Sequence, residues 1–323
     1  MPKNISLIIR LSFITIFSVL NALPVTTAAS LPLSGELNID ATNISGLVIT
    51  SEFTALATDE GTAIQILPKQ GNHFISNIEG VIRLTKNDDE LDLEGLAWQP
   101  PYLYAIGSHS AKRKRVNFKE TNKNNLQRLQ AIITEPSRHK LFQIELDKNN
   151  QPKQIKSIGL DEWITADPIL EPFVQIPSKE NGIDIEGIAS SDEHLYIGFR
   201  GPVLRGNLAT VLRFKIDHQK FKIKKPKLRL VNLGGLGIRD LVFSQNNLKV
   251  LAGPVNEIPR SFTIYDWDGK TQLEPLSATY QFNSNKLTGK PEAIAINPKK
   301  KNTLWMAQDG PKNGDIQSIK LDK

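Results

Sequence analysis

Short runs in which apolar and polar residues alternate follow one another along almost the whole chain, as in HKLFQIEL, TVLRFKI, KLRLVNL and SFTIYDW. Alternation with period two, rich in β-branched and aromatic residues, predicts β-strands with one face turned to a core. Helical periodicity is scarce, and its best stretch is Asn125 to Ile133. The pattern predicts an all-β protein.

The strands also repeat. DLEGLAW at Asp92 and DIEGIAS at Asp184 share an acid, a glycine and an apolar pair, and weaker copies of the same two-strand phrase surround them. SGLVI at Ser45 precedes FTALATDEG, EGLAW at Glu94 precedes YLYAIGSHS, and EGIAS at Glu186 precedes HLYIGFRGP. DLVFS at Asp240 precedes LKVLAGPV, and EAIAI at Glu292 precedes TLWMAQDG. A spacing of about 50 residues with about four strands per repeat is the signature of β-propeller blades.

The expectation is one propeller over residues 30–323, with five four-stranded blades, or six if another blade lies between Ala111 and Gly182. That stretch holds Pro136, Pro168, Pro172 and Pro177 and no similar strand start, so it reads as insertions at 111–137 and 161–182. Leu33 to Ala41 is strand-like. It is expected to complete the last blade beside GDIQSIKL, closing the ring by pairing N- and C-terminal strands and hiding both edges.

Residues 1–29 read differently. Lys3 and Arg10, an apolar run and the small residues Thr27, Ala28 and Ala29 predict a signal peptide cut near Ala29–Ser30. Asn21 and Pro24 interrupt the run before it reaches the ~20 apolar residues of a membrane span. A periplasmic or secreted protein is expected, with no stable membrane span after cleavage. There is no cysteine, so neither disulfides nor thiolate chemistry is available. Removing Lys3 and Arg10 from 40 basic residues leaves 38 against 34 acidic ones, a formal +4. That mild excess does not suggest a nucleic-acid partner, and Lys112 to Arg115 reads as a solvated loop. The oligomeric state is left open.

DLEGLAW with YLYAIGSHS, PSKENGIDIEGIA with LYIGFRGPVLRG, LGGLGIRDL with LAGP, and KPEAIAI together resemble the bacterial proteins grouped as domain of unknown function 3616. The resemblance covers nearly all of the mature chain and implies an exported propeller with no established activity. More loosely, DxEG at a strand start is similar to the propellers called esterase-like activity of phytase and to calcium-dependent lactonases.

In a blade, the start of the first strand and the end of the second share one rim. Glu94, Glu186, Asp240 and Glu292 mark the starts, while Asp59, Ser108, His109, Arg200 and Asp309 mark the ends. Asp92 and Asp184 accompany Glu94 and Glu186 by strand alternation. Such a ring of carboxylates is a candidate Ca²⁺ site, since calcium takes oxygen ligands in tolerant geometry. Arg200, Arg205 and Arg239 bring guanidinium forks suited to phosphate or carboxylate. The structural reading of the same acids, accepting backbone amides of the next blade or pairing with Arg239, takes precedence over the metal one. His109 is the candidate general acid or base, with capping of a loop carbonyl as its alternative role. Gly95 and Gly187 are expected to permit close packing. No GxSxG elbow, HExxH or P-loop occurs, and Gly234 to Gly237 precedes a strand rather than a helix.

Two functions from different classes remain open on this evidence. One is a propeller that binds an anionic small molecule, or a protein partner, at one face of its channel. The other is a metal-assisted hydrolase of a phosphoester, ester or lactone.

Overall fold

The computed structural model describes residues 29–258 and 261–321. The expected signal peptide lies outside them apart from Ala29. Antiparallel sheets stand radially as five blades. Their innermost strands are Ile44–Ile49, Leu93–Gln99, Asp184–Ser190, Gly237–Ser244 and Lys290–Ile296, each packed against the next and the last against the first. No sixth blade lies between Ala111 and Gly182. The first insertion is a hairpin, Ala111–Arg113 with Ile132–Thr134, enclosing the helix Asn122–Gln130. The second begins with the helix Asp161–Ala166 and buries Leu160, Ile164 and Leu170 in the seam between blades two and three.

Blade five holds Lys290–Ile296, Thr303–Asp309 and Gln317–Lys320, and residues 29–31 supply its outer edge. The Leu31 N–H donates to the Ile316 carbonyl at 2.9 Å, and the Ser318 N–H donates to the Ala29 carbonyl at 2.8 Å. The ring is thus closed by N- and C-terminal pairing, but not by Leu33–Ala41 as expected. Pro32 has no N–H to continue the ladder. Beyond it the chain crosses to blade one, where Leu33–Ser34 pairs in parallel with His73–Ile75.

One irregularity recurs in every blade. Near its start the first strand skips a residue in the ladder, leaving Ser45, Glu94, Glu186, Arg239 and Glu292 bulged. A bulge bends its strand and re-aims the side chain, and all five of these side chains line the channel mouth. In blades one to three the following position is glycine, where inner strands converge. A Cβ on Gly46 would sit 2.9 Å from Leu96, one on Gly95 3.1 Å from Ile188, and one on Gly187 3.0 Å from Leu241. Below, Leu47, Leu96, Ile188, Leu241 and Ile294 form a buried apolar layer.

This register corrects the sequence alignment of blade four by one residue. Arg239, not Asp240, occupies the position of Glu94, Glu186 and Glu292, while Asp240 stands where the other blades have Gly46, Gly95, Gly187 and Ala293. A slip of one residue exchanges strand faces. Asp240 therefore points away from the channel and accepts the N–H groups of Leu241 and, across the seam, Ile294, both at 2.7 Å.

Candidate functional site

Glu186 is the centre of the channel mouth. Its carboxylate lies between Arg200 and Arg239, with Arg239 Nε at 2.9 Å. Arg200 also grips Asp184, and Arg239 also grips Glu292. These side chains are almost completely buried. Burial raises the Glu186 and Glu292 pKa values and the arginines oppose that rise. A third guanidinium, Arg138, holds Asp92 at 2.7 Å, Glu135 at 2.7 Å, and Glu90. Asp92 also accepts from the Ser108 hydroxyl.

Two acids are left over. Glu94 and Asp59 face the cavity without a side-chain hydrogen bond or ion pair among the described residues. Burial, then Glu186, Asp92, Asp184 and Asp59, push the Glu94 carboxyl well above its ordinary range. Burial, then Asp92, Asp309 and Glu292, push Asp59 up to about 7. Asp309 is paired with Lys290 at 3.3 Å.

The blade-two insertion and the loop after Gly253 meet over this mouth. Arg115 pairs with Glu257 at 2.6 Å, Lys112 with Glu135 at 2.6 Å, and Arg113 with Glu180. The cluster expected as a solvated loop is therefore half strand and mostly ion-paired, because the insertion folds back over the rim. Cavities of ≈ 470 and ≈ 840 Å³ adjoin the Arg115–Glu257 bridge. Asp59, Glu94, Arg200 and the exposed Lys179, which has no ion pair among the described residues, line both.

The structure thus brings Glu94, Glu186, Glu292, Asp309, Arg200 and Arg239 to the 470 Å³ cavity and Asp92 and Asp184 to its neighbour. It does not bring Asp240, Arg205 or His109. Arg205 lies exposed in a turn and lines neither cavity. His109 is buried behind the rim, where Nδ1 donates to the Gly107 carbonyl at 2.9 Å and Nε2 accepts the Leu160 N–H at 3.2 Å. Both ring nitrogens are spent on the backbone, the capping alternative. The sequence reading missed Arg138 and Lys179, which lie in or beside the insertions and outside the repeat.

Burial lowers the His109 pKa to about 4. The unfolded chain, with an ordinary histidine value near ~6.5, binds the extra proton between these limits. This contribution to stability is therefore present above pH ~6.5 and lost as pH falls towards 4. His109→Leu is expected to cost about 1–3 kcal/mol at neutral pH by orphaning the Leu160 N–H. It should also flatten the acid limb in urea titrations and leave ligand binding at the mouth intact.

The fold and site define a class: a five-bladed propeller whose channel ends in a buried lattice of carboxylates and guanidinium groups. The chain belongs to the family described as protein of unknown function, DUF3616, whose profile matches residues 43–314. A search of curated proteins gives no match. Among solved structures, a putative 6-phosphogluconolactonase from Bacteroides uniformis is 13% identical, covering 86% of this chain and 71% of that one, with a TM-score of 0.39. A GH43 β-1,3-galactosidase with galactodeoxynojirimycin is 9% identical, covering 86% and 89%, with a TM-score of 0.45. The computationally designed Ika8 protein is 10% identical, covering 90% and 100%, with a TM-score of 0.32.

Proposed function

We propose that the channel mouth binds a small polar ligand, and that Glu94 and Asp59 are the groups that meet it. The observation behind this reading is the unequal treatment of the acids. Asp92, Asp184, Glu186 and Glu292 are each held by a guanidinium, whereas Glu94 and Asp59 face the cavity unpaired. Arg200 and Arg239 are spent within the lattice, so the anion site first expected of them moves outward to Lys179. The ligand presents a cationic or hydroxyl-rich end to the two deep carboxyls and any anionic group to Lys179 at the rim.

Calcium fits this donor set poorly. Two unpaired carboxyls fall short of the six to eight oxygens it takes, and among the described residues no group of three or more potential ligands is arranged for a metal. A bound Ca²⁺ would draw most of its shell from ligand and solvent, so calcium is one arm of the test.

A hydrolase reading has one observation in its favour. Asp59, at about 7, is poised to hold or release a proton near neutrality, as a general acid or base must.

The test is a calorimetric panel of amines, monosaccharides, sugar phosphates and Ca²⁺, with a lactone and phosphoester turnover assay alongside. Glu94→Gln and Asp59→Asn should each weaken binding at least tenfold while the protein stays folded. Because an acid with a raised pKa opposes folding once ionised, the Asp59 contribution to stability should fall between pH ~4 and 7, against the rise contributed by His109 over the same range, and Asp59→Asn should remove that fall, about 1–2 kcal/mol. A ligand that binds both variants as well as wild type would overturn this site.

A further inference from the structure

We infer that the outer hairpin of blade three, Leu208–Asp217 with Lys222–Asn232, is a docking surface for a linear acidic polysaccharide. Its charge is unlike that of the rest of the chain. Between Arg213 and Arg229 stand eight bases, Arg213, Lys215, Lys220, Lys222, Lys224, Lys225, Lys227 and Arg229, against the single acid Asp217. This segment is net +7 (8 − 1), whereas the whole chain is +6 (40 − 34), so all other residues together are net −1 (32 − 33).

Lysines on an outer strand commonly serve only to stop edge-to-edge pairing. Two features go beyond that need. Arg213 stands directly across from Lys227, and Lys215 directly across from Lys224. Like charges facing each other destabilise a sheet. The only ion pair of these eight among the described residues is Lys220 with Asp217 at 3.9 Å. Facing like charges and the scarcity of ion pairs are both relieved by an external anion on this face.

The shape of the patch selects the partner. Five of the bases follow one strand, from Lys222 to Arg229, in a line of about 23 Å at ~3.3 Å per residue. A line of charge matches a linear polyanion. The hairpin's large apolar residues are buried, as Phe221 and Ile223 are, or half-buried, as Leu228 and Leu230 are, leaving no exposed apolar anchor for a lipid interface. It also exposes no aromatic ring, so it lacks the stacking platform on which single-stranded nucleic acids are held.

The test measures retention and affinity of the full chain on heparin and alginate, with phosphatidylglycerol vesicles and oligothymidine as competing probes. Wild type should bind both polysaccharides at low salt, with log affinity falling linearly in log salt. The variant Lys222→Gln, Lys224→Gln, Lys227→Gln should lose at least tenfold and show a shallower salt slope. Lys299→Gln, Lys300→Gln, Lys301→Gln, an equal loss of charge elsewhere on the surface, should bind as wild type. These positions are exposed, so neither variant should melt below wild type, and relief of the Arg213–Lys227 and Lys215–Lys224 repulsion can only raise the first. The inference is overturned if wild type ignores both polysaccharides, if the two variants lose affinity equally, or if vesicles or oligothymidine bind more tightly than either polysaccharide.

Discussion

Glu186→Leu is expected to cost about 3–5 kcal/mol, a large part of the stability of a single domain. The carboxylate sits between two buried guanidinium groups, and each of those reaches only one other acid, Asp184 for Arg200 and Glu292 for Arg239. Without Glu186 the lattice has two arginines against two acids across a gap, and the arginines repel each other in a medium that screens little. Breaking a buried pair from one side is much more damaging than replacing the whole group. Urea titration of Glu186→Leu, Glu186→Gln and Glu94→Gln separates the roles. The first two should lower the midpoint strongly, while Glu94→Gln should leave it unchanged or raise it, because Glu94 is surrounded by like charge. Equal losses at Glu94 and Glu186 would mean that Glu94 too is a structural member of the lattice.

Asp240→Ala should be nearly as damaging, at about 2–5 kcal/mol, although no charge pair is lost. Its two oxygens accept the N–H groups of Leu241 and Ile294, and alanine orphans both in a buried seam. Each buried unsatisfied group costs about 1–3 kcal/mol. Burial, against the pull of these two N–H groups, raises the Asp240 pKa well above the ordinary range, so the residue stitches blade four to blade five rather than facing a ligand. Hydrogen exchange should therefore accelerate at Ile294 and along the seam in Asp240→Ala. Ligand binding at the mouth should change little in material that remains folded. A loss of binding without a loss of stability would return Asp240 to the site.

The blades were legible because alternation and repeat length follow directly from strand geometry. The misplacement in blade four shows which part of a repeat carries the register. ISGL, LEGL, IEGI, IRDL and PEAI share a frame of a nonpolar residue, a variable residue, a third residue that is usually small, and an apolar residue. That frame puts Arg239 in the ring. Matching acid to acid instead put Asp240 there, because packing fixes the apolar frame whereas the bulged residue is free to vary in charge. Arg138 could not be found this way. It reaches Asp92 from the end of an insertion, a contact made by the path of a loop and not by any period in the sequence. His109 misled for a related reason. Its neighbours Ser108 and Ser110 do face the rim acid Asp92 and one another, while the imidazole turns back to the backbone of Gly107 and Leu160.

The apolar layer under the bulged ring bears on traffic as much as on packing. The cavity above it and the small apolar one at the opposite end have no lining residue in common. The axis is a blind well rather than a tunnel. A ligand at the proposed site would enter and leave by the same opening, past Lys179 and the Arg115–Glu257 bridge, so arrival and departure would compete for one door. With Leu47, Leu96, Ile188, Leu241 and Ile294 buried across the axis, a long chain molecule at the proposed site would reach the floor only by its tip or a side branch.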